Sequence, residues 1–390
     1  MNSWPKRIAC LLVICLIMPL ITCSAEKESF ETFAEKQYRT RGIVGGAVII
    51  SLNGETLASY TYGRIAKSRN SAPVTLDTCF RIASVTKLVT AAGLVKLMEE
   101  KELSYDTPIS DLLGFRVFNP NYPDIPITVR QVMTHTTGFT ATTDRYLTNF
   151  EKLKKDTTIF VKKCPPGSKY VYSNRNGGMM GALIEALSGQ SLNTYMKENL
   201  FDPLGINAAY HPALLEDQSD ISERFNTDGD TVQTVSKALS TIKDYHDVCD
   251  PYNNRDISVG GLYISARGLD SFLTMFVQDG ALNGERFLPE GIRQKMTASQ
   301  SFEGSSVQAD GEYTLGLARV TDLPGGIWYG HQGMLGGLSA DAYFQPDTGL
   351  CVTVIANGYK PVLLNGTAKI ARAFMEYAET LLPEKTDDKL

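Results

Sequence analysis

The sequence predicts an α/β (α+β) chain in which one antiparallel sheet, flanked by helices, carries an inserted, mainly helical subdomain. Three observations lead there. β-rich runs lie near both ends of the 390 residues, the stretch between them alternates short helical patterns with loops rich in Pro, Gly and Asn, and a helix-patterned segment closes the chain. Strands so distant in sequence must meet in one sheet. The sheet subdomain is therefore expected from residues 26–105 and 256–384, the insertion from 106–255, a leader over 1–25 and a tail over 385–390.

Each element has its own signal. Glu28–Arg39 reads as a helix with a polar face. Ile43–Leu52 and Glu55–Gly63 are strand runs joined at Asn53-Gly54, a strong hairpin signal. A helix is expected from Ser84 to about Leu103, because Leu88, Ala91, Ala92, Val95 and Met98 recur at helical spacing. Short helices follow at Thr128–His135, Asn176–Leu187 and Leu192–Leu200. Strands resume at Tyr313–Val320, Ile327–Gly330, Leu338–Phe344 and Leu350–Ala356, and Leu363–Leu382 has the pattern of a closing amphipathic helix.

Composition narrows the function. With 43% hydrophobic and 21% charged residues the chain is long enough for one large domain or two moderate ones. The net charge is only −5 and no Lys/Arg cluster follows the N-terminus, which argues against nucleic-acid binding. Lys6 and Arg7 precede an apolar run, Ile8–Ile21, of signal-peptide length. Cys23-Ser-Ala25 before Glu26 fits cleavage after Ala25, whereas Leu20-Ile-Thr-Cys23 resembles a lipobox that leaves a lipidated, membrane-attached Cys23. Both routes imply export, to the periplasm or beyond it. Cys79, Cys164, Cys249 and Cys351 are too scattered for a disulfide framework, and Cys79 and Cys351 read as buried, inert thiols. The four histidines form no ligand pair, which points away from a zinc hydrolase, and no cofactor is implied.

Three short motifs carry chemistry. Ser84 and Lys87 lie three apart, so on a helix they share a face. A serine hydroxyl needs a base to become a nucleophile, and a lysine in a dry pocket can lose its charge and serve. The first helical turn also aims free N–H groups, that of Ser84 included, at a developing oxyanion. An isolated Ser-x-x-Lys is more often an N-cap beside an exposed lysine. The pattern recurs at Ser3/Lys6, Ser24/Lys27 and Ser240/Lys243, but only Ser84 follows an apolar strand-like run, Cys79–Ala83. Tyr172 suits a second proton-transfer group, and the Asn174 amide can bond Lys87 and a substrate carbonyl. Alone, that Tyr-x-Asn would be a turn with its tyrosine on the core. His331-Gln-Gly333 opens a glycine-rich edge strand where Gly333 lets a substrate approach, and the Met334 N–H is a candidate second oxyanion donor. Arg175 is a candidate for binding an acidic acyl group, against the commoner case of a solvated helix-face arginine.

Together these residues resemble the serine β-lactamase-related family, in its class C-like branch of penicillin-binding proteins, esterases and acyltransferases. The likeness spans about residues 43–360 and includes Phe80–Lys87, Ile127–Gly138, Pro165-Pro-Gly167 ahead of Tyr172-Ser-Asn174, Gly260–Tyr263, and Gly330-His-Gln-Gly333 through Asn357. It implies a β-lactamase/transpeptidase-like fold, Ser84 as nucleophile, Lys87 and Tyr172 sharing the base role, and Asn174 orienting substrate. The His331 segment corresponds to the family's Lys-Thr-Gly strand. Two departures stand out. The chain has no Lys-x-Gly, and the glutamine that class C lactamases place after the Thr-His-Thr-Thr-Gly-like segment has no counterpart in Phe139–Thr143. The histidine variant is more typical of the family's esterases, D-amino-acid peptidases and acyltransferases. The expected function is an exported serine hydrolase or acyltransferase acting on a small-molecule acyl substrate. The rival enzyme is a weak β-lactamase or D,D-peptidase, and the rival of another class is a catalytically idle ligand-binding protein.

Overall fold

A computed structural model describes residues 28–141, 157–245, 247–251, 257–299 and 313–383. The leader expected over 1–25, with Cys23, and the tail over 385–390 lie outside them. No helix among the described residues is long and apolar enough to cross a membrane.

A six-stranded antiparallel sheet organises the chain. Its strands are β1 (Gly45–Leu52), β2 (Glu55–Gly63), β3 (Ala318–Val320), β4 (Trp328–Leu335), β5 (Leu338–Phe344) and β6 (Leu350–Asn357), in spatial order β2-β1-β6-β5-β4-β3. The two ends of the chain meet where β1 pairs β6, from Gly45↔Asn357 to Leu52↔Leu350. β1 is buried along Gly45–Ser51, which explains its nearly unbroken apolar run: both of its faces are covered. Asn53 and Gly54 take φ of 51° and 94°, the left-handed pair that a tight hairpin demands.

Helices cover both faces. On one side α1 (Phe30–Arg39) and α5 (Lys369–Glu379) pack on Val48, Ile50, Val352 and Val354. On the other, α4 (Ala266–Val277) packs on the strands carrying Ala47, Ile49, Ala340, Ala342 and Phe344, α2 (Thr86–Glu100) packs on β4, and α3 (Asn174–Ser188) packs on α2. That second core is continuous, so the helical segments share it with the sheet. α2 is buried all round, from Thr86 to Val95 without a break. Such a helix belongs at the centre of a large core, and it carries Lys87 there.

Several boundaries differ from expectation for identifiable reasons. The helix expected at Ser84 begins as a 3₁₀ turn over Ala83–Val85, and its α-helical part ends at Glu100. The helix expected from Asn176 starts at Asn174, capped by the Ser173 hydroxyl. Leu192–Met196 continues as one π turn over Lys197–Phe201. The closing helix starts only at Lys369, because Asn365 and Gly366 (φ 48° and 78°) make a tight turn between Leu363–Leu364 and Thr367–Ala368. The strand expected at Tyr313–Val320 shortens to three residues, while the one expected to end at Gly330 runs on to Leu335.

The outer core hinges on α5. Phe374 is fully buried and meets Phe30, Phe33 and Tyr38, the Phe33 contact being edge-to-face at 5.5 Å. Phe374→Ala is expected to cost about 3–5 kcal/mol of stability, read as a lowered denaturation midpoint, while activity per folded molecule at 25 °C stays unchanged. Retained stability would mean that α1 and α5 do not lock the sheet's outer face.

Candidate active site

Ser84 sits where a two-residue ladder, Phe80–Arg81 against Tyr263–Ile264, turns into α2. Ala83 makes the corner with φ of 49°, a strained backbone for a residue with a side chain. Between Ile82 and Val95 every residue is buried except Ser84, so the corner turns this hydroxyl alone toward solvent.

Lys87 lies one turn on and is fully buried. Its Nζ donates to Ser84 Oγ at 3.0 Å and to the Val259 carbonyl at 2.8 Å. Among the described residues no carboxylate faces it. Burial alone pulls the ammonium down to about 7, so near neutrality the amine is substantially uncharged. Gly177 on α3 makes room for the lysine stem: a Cβ there would stand 3.0 Å from Lys87 Cε.

Tyr172 approaches from the segment leading into α3. Lys87 Nζ lies 5.3 Å from its ring centroid. The hydroxyl is buried and closes no hydrogen bond of ordinary geometry, although Ser84 is near enough to draw its pKa down slightly. Burial outweighs that pull and holds the phenol at about 12. At neutral pH Tyr172 is therefore a proton donor. Asn174, half-buried, is the first residue of α3.

β4 supplies the opposite wall. β3 covers only Trp328–Gly330, and beyond that the β4 edge runs past the Ser84 turn. A Cβ on Gly333 would meet the Ile82 carbonyl and stand 2.9 Å from Ser84 N and 3.0 Å from Val85 N. Glycine is required here by the close approach of strand and turn, a more specific reason than substrate access. The β4–β5 hairpin turns at Gly336-Gly337, with Leu335↔Leu338 as the last pair. Hydrogen-bonded pairs alternate from that turn, so the Met334 N–H points off the free edge, on the Ser84 side. Its side chain is 48% exposed.

Two expectations need correction. His331 is 4% exposed; its Nδ1 donates to the Gln332 carbonyl at 2.6 Å and its Nε2 is enclosed. The ring is buried beside Tyr172, with centroids 6.1 Å apart, and does not stand out on an open edge. Burial, reinforced by Lys87, lowers its pKa to about 3, so it carries no charge at neutral pH. Arg175 is 6% exposed, so it is no solvated helix-face arginine.

Sequence reasoning gave no role to His135. The fully buried ring stacks on Tyr172, with centroids 4.5 Å apart and planes at 24°. The only signal was its place in Thr134-His-Thr-Thr-Gly138, within the resemblance but far from the other motifs.

Residues 30–374 match the Beta-lactamase family. The chain belongs to this family of serine hydrolases. Penicillin-binding protein 4 of Amycolatopsis lactamdurans is 25% identical over 328 residues, 81% of each chain. Penicillin-binding protein 4* of Bacillus subtilis is 26% identical over 188 residues, which cover 46% of this chain and 39% of that longer relative. An octameric penicillin-binding protein homologue from Pyrococcus abyssi superposes with a TM-score of 0.70, covering 91% of this chain and 77% of its own. At 22% identity that likeness establishes the β-lactamase/transpeptidase-type fold.

The strand-to-turn contact is testable. Gly333→Ala should displace the Ser84 amide and slow labelling by a fluorophosphonate by about 10²–10³, the usual cost of losing an oxyanion donor, with unchanged far-UV circular dichroism. Labelling at the wild-type rate would show that Gly333 does not set the position of the Ser84 amide.

Proposed function

We propose that the protein is an exported serine hydrolase or acyltransferase that forms an ester on Ser84 and passes the acyl group to water or an alcohol. One observation carries the reading: a fully buried lysine, with no carboxylate partner among the described residues, lies 3.0 Å from the one serine that opens to solvent between Ile82 and Val95. In its neutral form Lys87 reverses that contact. The Nζ lone pair takes the Ser84 proton while an N–H stays on the Val259 carbonyl. Ser84 Oγ then bonds the acyl carbon, and the N–H groups of Ser84 and Met334 hold the oxyanion. When the carbon–oxygen bond to the leaving alcohol breaks, Tyr172 gives that oxygen its proton and recovers one from Lys87. Water or a second alcohol reverses the sequence. Asn174, at the first position of α3, orients the acyl group. An idle binding protein has no need of a charge-depleted lysine against a serine.

Substrate class follows from the wall. Where the resemblance places a lysine, this chain has a buried neutral His331. Replacing a fixed cation removes a charge-assisted hydrogen bond to a substrate carboxylate, worth roughly 1.5–3 kcal/mol or one to two powers of ten. That favours uncharged esters over β-lactams. Export rests on the Lys6-Arg7 and Ile8–Ile21 leader pattern, and attachment to a membrane on Cys23.

Purified enzyme should turn over short-chain activated esters with a higher kcat/KM than a chromogenic cephalosporin, and an added alcohol should divert part of the product into a new ester. Ser84→Ala should abolish both reactions and the acyl adduct seen by intact mass. Faster turnover of the cephalosporin would replace this reading with β-lactamase or D,D-peptidase, and an adduct mapped to another serine would remove Ser84 as the nucleophile.

A further inference from the structure

His135 is held in an unusual way. Its backbone is left-handed, with φ of 56°, a conformation that costs energy in a residue other than glycine or asparagine. It is fully buried, and its interactions converge on one neighbour, Tyr172. The His135 carbonyl accepts from Val171 N at 2.8 Å. The ring Nδ1 accepts from Ser173 N at 3.1 Å. The residues on either side of Tyr172 are thus tied to the same histidine, and the tyrosine ring lies against the imidazole face. Tyr313 closes the far side of the imidazole, edge-on at 4.8 Å.

A second layer fixes the imidazole. Asn176 Nδ2 also donates to His135 Nδ1, at 3.0 Å, and Thr137 Oγ1 donates to Asn176 Oδ1 at 2.9 Å. The threonine proton sets the amide's orientation, and the amide and the Ser173 N–H together require a lone pair on Nδ1. The proton is therefore on Nε2. A protonated ring would lose both bonds, and burial, with Lys87 and His331 nearby, keeps it neutral. Among the described residues the Tyr172 hydroxyl closes no hydrogen bond of ordinary geometry, so the phenol is held chiefly from the imidazole side.

We propose that His135 is the positioning residue of Tyr172: through its carbonyl, Nδ1 and ring face it fixes the backbone and ring plane of the tyrosine, so that the unbonded hydroxyl stays directed at Ser84. The inference rests on the functional reading above, in which Tyr172 moves a proton. The left-handed backbone at 135 belongs to the device, because it lets one residue present carbonyl and ring nitrogen to two peptides of the same segment leading into α3. Thr137 and Asn176 serve it from behind.

A double-mutant cycle tests this, since residues acting through one another are non-additive. His135→Phe keeps a ring of similar volume but removes the Nδ1 acceptor. With a p-nitrophenyl ester as substrate, His135→Phe should lower kcat by ten- to a hundredfold with KM within threefold of wild type. In a Tyr172→Phe background it should change kcat by less than threefold. A purely structural role predicts the same loss in both backgrounds, and that result overturns the proposal. Should His135→Phe fail to fold, Thr137→Val loosens the same chain from its far end: about a threefold loss of kcat in wild type and none beside Tyr172→Phe supports the proposal, and equal losses overturn it. If Tyr172→Phe itself leaves kcat unchanged, the proton-transfer reading falls and the inference with it. A large Tyr172→Phe effect with additive His135 losses sinks the inference alone.

Discussion

The site depends on a lysine placed where its charge cannot be solvated. Lys87 is wholly buried on a helix that is buried all round from Thr86 to Val95, and no acidic side chain among the described residues offsets it. Burial lowers its pKa to about 7, and under the proposed function the uncharged amine is the base. Much of the surrounding architecture serves that condition. α2 runs through the middle of the core, Gly177 leaves space for the stem, and the Val259 carbonyl gives the amine one fixed partner. The serine, one turn earlier, is the single residue between Ile82 and Val95 that is not buried.

Around that pair the sheet provides precision. Strand β4 can touch the Ser84 turn only because Gly333 has no side chain, and the tight turn at Gly336-Gly337 decides which β4 amides face outward. The pairing of β1 with β6 holds the two ends of the chain in one sheet, so distant segments meet at the cleft. Tyr172, His135 and His331 form a neutral aromatic layer behind the lysine. Its low polarity helps keep Lys87 uncharged.

Much of this was legible in the sequence. The β1–β2 hairpin was readable because Asn53-Gly54 has one good conformation, and Ser84/Lys87 because an apolar run precedes them. Other parts depend on tertiary contact. Local pattern cannot show that His331 is enclosed, since that follows from the helices packed on β4. Arg175 looked like a surface residue because arginines usually are. His135 was hidden because its meaning lies in contacts with Val171, Ser173 and Tyr172, more than thirty residues away. The late start of α5 was readable in Asn365-Gly366, whose turn signal was outweighed by the apolar periodicity around it.

Activation of Ser84 depends on the ionisation of Lys87. The direct measurement is the pH dependence of Ser84 labelling by an uncharged fluorophosphonate under single-turnover conditions, which reports the base in the free enzyme. Because burial lowers the lysine from 10.5 to about 7, the rate should rise with pH through a midpoint near 7 and level off above pH 8. A rate that keeps rising past pH 9 would show that the lysine is still charged at neutral pH and that another group activates the serine.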